Sequence, residues 1–509
     1  MTDYTMPTDA LRYWASNDPT KRAIVFRGDA VTYRELDAWV SRFAWRLVDA
    51  GVKVGDRVGV IGENTIEWCV AGLATLKVGA IHAALNNRMV PAELVQGIEM
   101  TDTTLVVTAD SHRDRMEEVA SLRSGVQLMA MENVAAVRHG DRQPFRSPEV
   151  EADDVAMIVY SSGSTGMPKG IIYSNRTILS YITEWALMEP AMGREARILL
   201  PQPLAGMGGF GNAILRSMVV GGSLFLEPRL DPPEALRLLI EERCNSLMAV
   251  PIIFQRISLL PEFEHADLSS LKFAIIGGAP VPLEEFDKWH ARGASLRQVY
   301  GSTEAGGAWT AMSVEGAREH PDRCGRGGIF RQIRIVRTDG KECDAGEDGE
   351  ILVRGPSVTP GYWNHPEATA ALLDKDGWLH TGDLGQLDET GLLKVTDRIK
   401  EIIISGGFNI GPTEIENCVL ELDGVTEVAA YGVPDERFGE TVAVIVNIEG
   451  NVTADDIVQH CNKRLSDFKV PRYVVIAAEP FPRSHEGKIA KVPLRQLYAD
   501  RLAEATRVR

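Results

Sequence analysis

One stretch of small, hydroxylated residues narrows the folds open to this chain more than any other. It reads Tyr160-Ser-Ser-Gly-Ser-Thr-Gly-Met-Pro-Lys-Gly170 and directly follows the apolar run Val155–Val159. A strand that opens into such a loop presents backbone N–H groups, hydroxyls and an ammonium to one point, which suits an anionic phosphate chain. The spacing differs from that of P-loop NTPases, because Pro168 stands where the second glycine would be. A plain surface turn would not account for Pro-Lys-Gly after a strand.

Length, charge and cysteine content limit the classes of protein to which the chain can belong. A chain of 509 residues predicts about two to four domains. A net charge of −17 argues against nucleic acid or an anionic membrane as the main partner. The six cysteines are scattered without metal-ligand spacing, which is typical of reduced thiols. With no visible signal peptide and no apolar run long enough for a membrane span, we expect a cytoplasmic protein without integral membrane association.

Strand and helix signals alternate along most of the chain. Thr32-Tyr-Arg-Glu35 is a capping box ahead of an amphipathic helix, and Gly51 is a plausible end of that helix. Short apolar strands are predicted at residues 57–61, 104–108, 156–160, 197–200, 223–226, 246–250 and 273–276. This alternation predicts a layered α/β fold with largely parallel sheets. Strands at 331–336, 349–353 and 391–396 then predict a β-rich subdomain, and the segment past Arg398 predicts a small α+β domain.

Four further segments contain residue types that suit ligand binding or catalysis. Tyr300-Gly-Ser-Thr-Glu304 follows a strand, and its threonine and carboxylate suit a phosphate oxygen and Mg²⁺. Thr381-Gly-Asp383 puts a carboxylate on a predicted tight turn, where two acceptor oxygens suit the paired hydroxyls of a ribose. Asp397–Glu416 joins a charged stretch, an apolar strand and a Gly-Gly turn, and Pro482–Lys488 places a lysine in a polar loop. Taken alone, most of these would be ordinary turns or solvated surface.

Together the five segments occur in the order and approximate spacing of the adenylate-forming superfamily. That superfamily holds acyl-CoA synthetases, nonribosomal peptide adenylation domains and luciferases. Gly361-Tyr-Trp-Asn, Gly377-Trp-Leu-His-Thr-Gly-Asp and Gly277-Gly-Ala-Pro match its secondary markers. The chain resembles the superfamily over roughly residues 10–500 and is most similar to acyl-CoA synthetases.

The resemblance implies a domain plan and a set of ligands. It implies an N-terminal AMP-binding domain over residues 1–397, made of layered α/β subdomains and a β-rich subdomain. A hinge over 398–401 and a small mobile α+β C-terminal domain over 402–509 would follow. The implied ligands are ATP, Mg²⁺, coenzyme A and a small-molecule carboxylic acid, and a homodimer remains open.

The same resemblance assigns site residues. Lys488, Glu304, Thr165 and Lys400 would act in catalysis, with Lys488 serving adenylation, Lys400 the hinge, and Glu304 with Thr165 the metal. The residues implied in nucleotide and coenzyme binding are Ser161, Ser162, Gly163, Ser164, Thr165, Gly166, Lys169, Gly278, Ala279, Pro280, Tyr300, Gly301, Ser302, Thr303, Asp383, Arg398, Ser405, Gly406 and Gly407. The candidate acid pocket comprises Met207, Phe210, Val281, Ala305, Gly306 and Trp309. None of the pocket residues is charged, so we expect a hydrophobic acid, either aromatic, alicyclic or of medium chain length.

The chain also departs from the family pattern at two positions. Many members carry an aromatic-histidine pair near the acyl pocket, where this chain has Leu204-Ala-Gly-Met. The gating role of that histidine is therefore not expected here. Gly411 stands where a larger residue is common.

Three alternative functions stay open at this point. Gly206-Met-Gly-Gly-Phe-Gly211 matches a dinucleotide-binding fingerprint, with Glu227 at a suitable distance, but Pro201 and Pro203 disrupt the strand-to-loop step. A stand-alone adenylation enzyme would load a carrier-protein thiol instead of coenzyme A. A nucleotide-binding relic of the fold would be free to lose the charged motif residues, and this chain keeps them.

Overall fold

The computed structural model of the chain describes residues 6–161, 169–277, 283–405, 408–435, 437–483 and 489–504. It divides into two units, which we call unit 1 and unit 2. Unit 1 comprises Met1–Gln332 and Val353–Leu379, and unit 2 comprises Ile333–Leu352 and His380–Arg509. The boundary expected at residues 397 and 398 stays a prediction, and the unit division falls earlier along the chain.

Strands and helices alternate through unit 1. Its strands are Arg22–Phe26 (β1), Asp29–Thr32 (β2), Arg57–Ile61 (β3), Ile81–Ala84 (β4), Leu105–Thr108 (β5), Gln127–Ala130 (β6), Val155–Ser161 (β7), Lys169–Ser174 (β8), Arg197–Leu200 (β9), Ser223–Leu226 (β10), Ser246–Ala249 (β11), Phe273–Gly277 (β12), Leu296–Val299 (β13), Gly301–Ser302 (β14), Gly307–Ala308 (β15), Thr310–Ala311 (β16) and Arg326–Gly327 (β17). Its helices are Asp9–Asn17 (α1), Tyr33–Asp49 (α2), Ile66–Lys77 (α3), Pro91–Thr101 (α4), Arg113–Leu122 (α5), Glu132–Ala135 (α6), Asn175–Met188 (α7), Arg216–Val220 (α8), Pro232–Glu241 (α9), Pro251–Ser258 (α10), Leu283–Ala291 (α11), Val314–Glu319 (α12) and Pro366–Leu372 (α13). A π-helical segment, Met207–Leu215, leads into α8.

The two large sheets of unit 1 are mostly parallel, which confirms the prediction from the alternation. A seven-stranded sheet has the order β13-β12-β11-β9-β10-β1-β2, with β1 and β2 antiparallel. A six-stranded sheet has the order β6-β5-β3-β4-β7-β8, with β7 and β8 antiparallel. The hairpin of β7 and β8 therefore brackets the hydroxyl-rich loop and brings Ser161 opposite Lys169.

Helix α2 shows how local sequence signals become part of the core. Thr32 Oγ1 accepts a hydrogen bond from Glu35 N at 3.3 Å, and Glu35 Oε2 accepts one from Thr32 N at 2.8 Å. This reciprocal pair satisfies two of the free N–H groups at the helix start, as predicted. One face of the helix then buries Leu36, Val40 and Phe43 in the main core of unit 1.

Unit 2 is built from shorter sheets and few helices. Its strands are Gln332–Val336 (β18), Gly349–Arg354 (β19), Leu379–Leu387 (β20), Leu393–Arg398 (β21), Ile403–Ser405 (β22), Phe408–Ile410 (β23), Val425–Asp435 (β24), Gly439–Ile448 (β25) and Tyr473–Ile476 (β26), where a few end residues of β18, β19 and β20 belong to unit 1. Its helices are Pro412–Leu420 (α14), Ala454–Asn462 (α15), Lys491–Leu497 (α16) and Ala499–Glu504 (α17). One sheet has the order β18-β19-β20-β21, and another has the order β23-β22-β25-β24 with β26 beside β25. The β-rich segment and the small α+β segment were both predicted.

Across the ranges that the structure describes, no helix combines the length and the apolar character needed to span a membrane.

Candidate active site

A tight hairpin in unit 1 carries the predicted Thr303 and Glu304. Strands β14 and β15 pair antiparallel, with Gly301 opposite Ala308 and Ser302 opposite Gly307. A Cβ added to Gly301 would overlap the Gly307 carbonyl oxygen, so only glycine lets the two short strands close. Thr303, Glu304, Ala305 and Gly306 form the turn, which Ser302 Oγ stabilises by accepting a hydrogen bond from Ala305 N at 3.2 Å. The sequence predicted that this segment follows a strand, which β13 confirms, and the structure adds the hairpin turn that carries Thr303 and Glu304.

Tyr362 joins Glu304 to Lys169. The Tyr362 hydroxyl donates a hydrogen bond to Glu304 Oε1 at 3.1 Å. On the face of the same ring, Lys169 Nζ lies 4.9 Å from the centroid. Burial, with the Glu304 charge as a smaller cause, raises the pKa of Tyr362, so the phenol stays a neutral donor. The arrangement brings an ammonium, a hydroxyl and a carboxylate together, and we call these three residues the charged row.

Backbone hydrogen bonds position the charged row. Trp363 N donates to the Gly170 carbonyl at 2.7 Å, and Ile172 N donates to the Gly361 carbonyl at 3.1 Å. Thr359 N donates to the Glu304 carbonyl at 3.0 Å. Strand β8, segment 359–363 and the hairpin turn are therefore locked side by side. The sequence analysis used Gly361-Tyr-Trp-Asn only as a family marker and missed Tyr362 as a site residue, although a tyrosine within such a marker was the available signal.

The donor set around Glu304 fits Mg²⁺. A carboxylate oxygen is a ligand type that this cation prefers, and Thr303 offers a hydroxyl beside it. Among the described residues, no group of three or more His, Cys, Asp or Glu side chains is arranged to hold a metal ion. Since Mg²⁺ in nucleotide sites is usually bound by one or two carboxylates together with substrate phosphates, a single glutamate is sufficient.

The candidate pocket residues of unit 1 are mostly buried. Phe210 and Met207 lie in the π-helical segment and belong to the main core. The Phe210 ring lies 4.1 Å from the His82 ring, between centroids, and burial lowers the pKa of His82 to about 3, so this histidine is neutral. Ala305 and Trp309, from the hairpin and the residue after it, are also buried. Their role as an acid pocket stays a prediction.

The glycines of the alternative dinucleotide fingerprint are explained by close packing. A Cβ on Gly209 would overlap the backbone of Pro203 and Leu204, and one on Gly211 would overlap Met207 Sδ. Asn64 ties the same loop to the sheet by accepting a hydrogen bond from Leu204 N at 2.9 Å. These contacts account for the small residues without a bound dinucleotide.

In unit 2, Asp383 and Arg398 are partners. Asp383 lies within β20 directly opposite Arg398 of β21, and Arg398 Nε lies 3.2 Å from Asp383 Oδ1. The predicted tight turn at Thr381-Gly-Asp383 is wrong, because the strand continues through it. Within this strand Gly382 has a φ of +71°, which glycine adopts without strain, and its N–H donates to Glu350 Oε1 at 3.2 Å.

An ionic cluster flanks the predicted hinge. Lys400 lies in the 3₁₀ turn Ile399–Glu401, which directly follows β21. The neighbouring Glu401 accepts a hydrogen bond from Lys491 Nζ at 2.7 Å, and Lys491 also lies 2.9 Å from Glu416 Oε1. Lys491 begins α16, three residues after Lys488. The cluster therefore ties the turn that carries Lys400 to the segment that follows Lys488.

Asp397 explains the unusual glycine at position 411. Burial raises the pKa of Asp397 to about 6, and Thr413 Oγ1 donates a hydrogen bond to its Oδ1 at 3.2 Å. A Cβ on Gly411 would overlap Asp397 Oδ2. The larger residue common in the family would therefore displace this carboxyl group.

Several predicted site residues lie outside the described residues. They are Ser162, Gly163, Ser164, Thr165, Gly166, Gly278, Ala279, Pro280, Val281, Gly406, Gly407 and Lys488. Of Ser161, only the backbone is described, at the end of β7. Tyr300 follows β13, and its N–H donates to Thr310 Oγ1 at 2.8 Å. Ser405 ends β22, where it is buried opposite Phe408 and Gly439.

Comparison with known proteins agrees with this arrangement. A family model described as "AMP-binding enzyme" matches residues 11–363, and one described as "AMP-binding enzyme C-terminal domain" matches residues 414–488. The chain is 35% identical over 488 residues to a feruloyl-CoA synthase from Amycolatopsis sp, covering 95% of this chain and 97% of the relative. It is 32% identical over 501 residues to the long-chain-fatty-acid–CoA ligase FadD13 from Mycobacterium tuberculosis, covering 96% and 98%. The crystal structure of ATP-bound MatB from Rhodopseudomonas palustris matches with a TM-score of 0.89 and 30% identity, covering 98% of this chain and 100% of that one.

These matches confirm the expectation of an adenylate-forming enzyme of the acyl-CoA synthetase type. Both sequence relatives are named as CoA synthases or ligases, and each is covered almost from end to end. The larger family match contains the charged row, and the smaller one ends at Lys488. The chain therefore belongs to the family of AMP-binding enzymes.

Proposed function

We propose that this protein is an acid–CoA ligase that converts a carboxylic acid, ATP and coenzyme A into an acyl-CoA thioester, AMP and pyrophosphate. The observation that carries the proposal is the charged row, in which Tyr362 contacts both Lys169 and Glu304. These groups suit a triphosphate, because an ammonium pairs with phosphate oxygens and a carboxylate holds the accompanying cation. Membership of the family of AMP-binding enzymes supports the same function.

In the first half-reaction, a carboxylate oxygen of the acid attacks the α-phosphorus of ATP. The bond from that phosphorus to the bridging oxygen breaks, and pyrophosphate leaves with its electron pair. Two anions must approach each other, so the protein has to position them and neutralise charge. Lys169 and the hydroxyl-rich loop from Ser161 to Gly166 would hold the phosphates, and Lys488 would lie at the reacting oxygens. Glu304, with Thr165, would hold Mg²⁺, whose charge offsets that of the triphosphate.

In the second half-reaction, the sulfur of coenzyme A attacks the acyl carbon, and the bond to AMP breaks. We propose that Asp383 and Arg398 hold the ribose during both steps, since a carboxylate accepts hydrogen bonds from the paired hydroxyls of a ribose. A rotation about Lys400 would carry Lys488 away and bring the Ser405-Gly-Gly turn toward the adenylate. The hydrogen bond from Lys491 Nζ to Glu401 supports this proposal, because it links the turn that carries Lys400 to the segment that follows Lys488.

The acid is proposed to have an apolar body. Ala305 and Trp309 are buried beside the hairpin turn that carries Glu304, and both are uncharged. An aromatic, alicyclic or medium-chain acid fits these surroundings. A carrier-protein thiol is the second candidate acceptor, and the protein is proposed to work in the cytoplasm.

Pyrophosphate release from Mg-ATP tests the proposal across a panel of carboxylic acids, with and without coenzyme A. We expect release that depends on the acid and turns over only when coenzyme A is present. Release that turns over without coenzyme A would reject the free coenzyme as acceptor. No release with any acid of the panel would reject the ligase.

A further inference from the structure

Glu350 contacts two positions of the strand segment that leads to Asp383. Glu350 lies in β19, which is next to β20 in the sheet β18-β19-β20-β21 of unit 2. Its Oε1 accepts a hydrogen bond from Gly382 N at 3.2 Å, and its Oε2 lies 3.0 Å from His380 Nδ1. Gly382 directly precedes Asp383 in the chain. Both oxygens of the Glu350 carboxylate therefore hold the segment that ends at Asp383.

The hydrogen bond to Gly382 supports an unusual backbone conformation. Gly382 has a φ of +71°, whereas residues in strands normally have strongly negative φ values. An N–H group with this direction needs an acceptor, since an unbonded peptide N–H inside a protein is costly. The Glu350 carboxylate supplies the acceptor, and hydrogen bonds to charged groups are the stronger ones. Glu350 therefore favours the one backbone direction from which the chain enters Asp383.

A second link from β19 acts on the same segment. Thr381 Oγ1 donates a hydrogen bond to the Ile351 carbonyl at 2.6 Å and accepts one from Asp383 N at 3.1 Å. The hydroxyl thus joins the backbone of β19 to the N–H group of Asp383. Since Glu350 binds the preceding N–H group, both peptide groups that lead to Asp383 are held by β19.

The links from β19 matter because the ion pair of Asp383 is a weak anchor. The Asp383 side chain is 11% exposed, whereas the side chain of its partner Arg398 is 61% exposed. An ion pair with an exposed arginine contributes little, because water screens the charges and the long side chain loses conformational freedom. The position of the Asp383 carboxylate therefore depends on the backbone that Glu350 and Thr381 hold.

We propose that Glu350 is a positioning residue for nucleotide binding, which holds Asp383 where its carboxylate accepts hydrogen bonds from both hydroxyls of the ribose. The inference rests on the proposed function, in which Asp383 and Arg398 hold that ribose. Firm support is needed because two hydrogen bonds form together only within a narrow range of distances and angles. The sequence predicted only a strand over residues 349–353 here, and nothing in that pattern indicated a role for Glu350.

Binding of ATP and of 2′,3′-dideoxy-ATP to the full-length protein tests the proposal. Calorimetry with Mg²⁺ gives both Kd values without an acid substrate. The wild type should bind ATP at least about 10-fold more tightly, as one hydrogen bond to a carboxylate allows. Glu350→Ala should weaken ATP binding about 10-fold and leave binding of the dideoxy nucleotide within about twofold, so that the preference for ATP is lost. General damage to the fold would weaken both nucleotides equally.

Two further variants separate the hydrogen bonds of Glu350 from its charge and from the removal of any glutamate. Glu350→Gln keeps an oxygen that accepts from Gly382 N, and its amide N–H can donate to His380 Nδ1 in the other ring tautomer. We expect this variant to keep most of the preference for ATP. Glu342→Ala is the matched control, since that exposed glutamate of the same unit pairs with Arg334 at 3.6 Å. It should bind both nucleotides as the wild type does.

A double-mutant cycle shows whether Glu350 acts through Asp383. Asp383→Ala alone should lose the preference for ATP, and adding Glu350→Ala should then weaken ATP binding no further. A preference that survives in Glu350→Ala, or an equal further loss in the double variant, would overturn the proposal. If the wild type binds neither nucleotide, the proposed ligase function itself fails. If it binds both nucleotides equally, the ribose role of Asp383 fails and the positioning role of Glu350 fails with it.

Discussion

Replacing Tyr362 by phenylalanine tests whether the charged row acts in catalysis. The substitution removes one oxygen, which donates a hydrogen bond to Glu304 Oε1 at 3.1 Å. It keeps the aromatic face over which Lys169 Nζ lies 4.9 Å from the ring centroid. The change therefore separates the hydrogen bond to the carboxylate from the contact with the ammonium.

The contacts set the size of the expected effect. A hydrogen bond to a charged group contributes about 1.5–3 kcal/mol, and each 1.4 kcal/mol corresponds to about tenfold. Tyr362 and Glu304 are only half-buried, so the lower half of that range applies, and we expect kcat/KM for Mg-ATP to fall about 10- to 40-fold. Tyr362→Leu also removes the cation–π contact, worth about 0.5–2 kcal/mol, and should lower kcat/KM by a further twofold to 30-fold.

Acid-dependent pyrophosphate release measures the effect, with the acid saturating and Mg-ATP varied. A double-mutant cycle with Glu304→Gln shows whether the two residues act together. The two losses should be less than multiplicative, because removing either partner breaks the same hydrogen bond. Unchanged kcat/KM in Tyr362→Phe, or fully multiplicative losses in the cycle, would show that the hydrogen bond from Tyr362 to Glu304 does not contribute to catalysis.

Four further predictions concern the remaining candidate residues. Lys488→Ala should slow adenylation about 10²–10³-fold and leave thioester formation from supplied acyl-adenylate largely intact, and equal loss of both would contradict its role. Lys400→Pro should spare pyrophosphate release and slow thioester formation, so slow adenylation would argue against a hinge. Gly411→Ala should lower stability to urea by about 1–3 kcal/mol, because the new Cβ overlaps Asp397 Oδ2, and an unchanged midpoint would contradict that contact. Burial raises the pKa of Asp397 to about 6, so the folded state favours the protonated carboxyl group. Its contribution to stability is fully present below about pH 4 and is lost as the pH rises through 6, which should lower the free energy of unfolding by at most about 3 kcal/mol. Asp397→Asn should remove this dependence, and a wild-type-minus-variant difference that stays flat from pH 4 to 7 would exclude it.

Most secondary structure of the chain followed from local signals. The capping box at Thr32 and Glu35 and the apolar face behind it predicted α2, and both are present. Such signals work because the relevant hydrogen bonds and the helical period involve residues only a few positions apart. The prediction at Thr381-Gly-Asp383 failed because long-range pairing with Arg398 carries the strand through a glycine that suggested a turn.

Local sequence signals did not predict the order of the strands within the sheets. β1 from the N-terminus pairs parallel with β10, about two hundred residues further along the chain. Periodicity shows which face of a strand is buried but carries no information about its neighbour. The hairpin partner β8, which brings Lys169 back beside Ser161, was likewise not predicted.

The α/β class, the family and the candidate phosphate, metal and lysine residues could be predicted from the sequence, because each depends on a local pattern or a short motif with its own chemistry. The contacts of Tyr362 with both Lys169 and Glu304, and the pairing of Asp383 with Arg398, became visible only in the folded chain. Such contacts escape local patterns because a side chain's partners come from whichever segments pack against it, and those segments lie far apart in the chain. Burial then sets the cost of each charge, which residue type alone does not reveal.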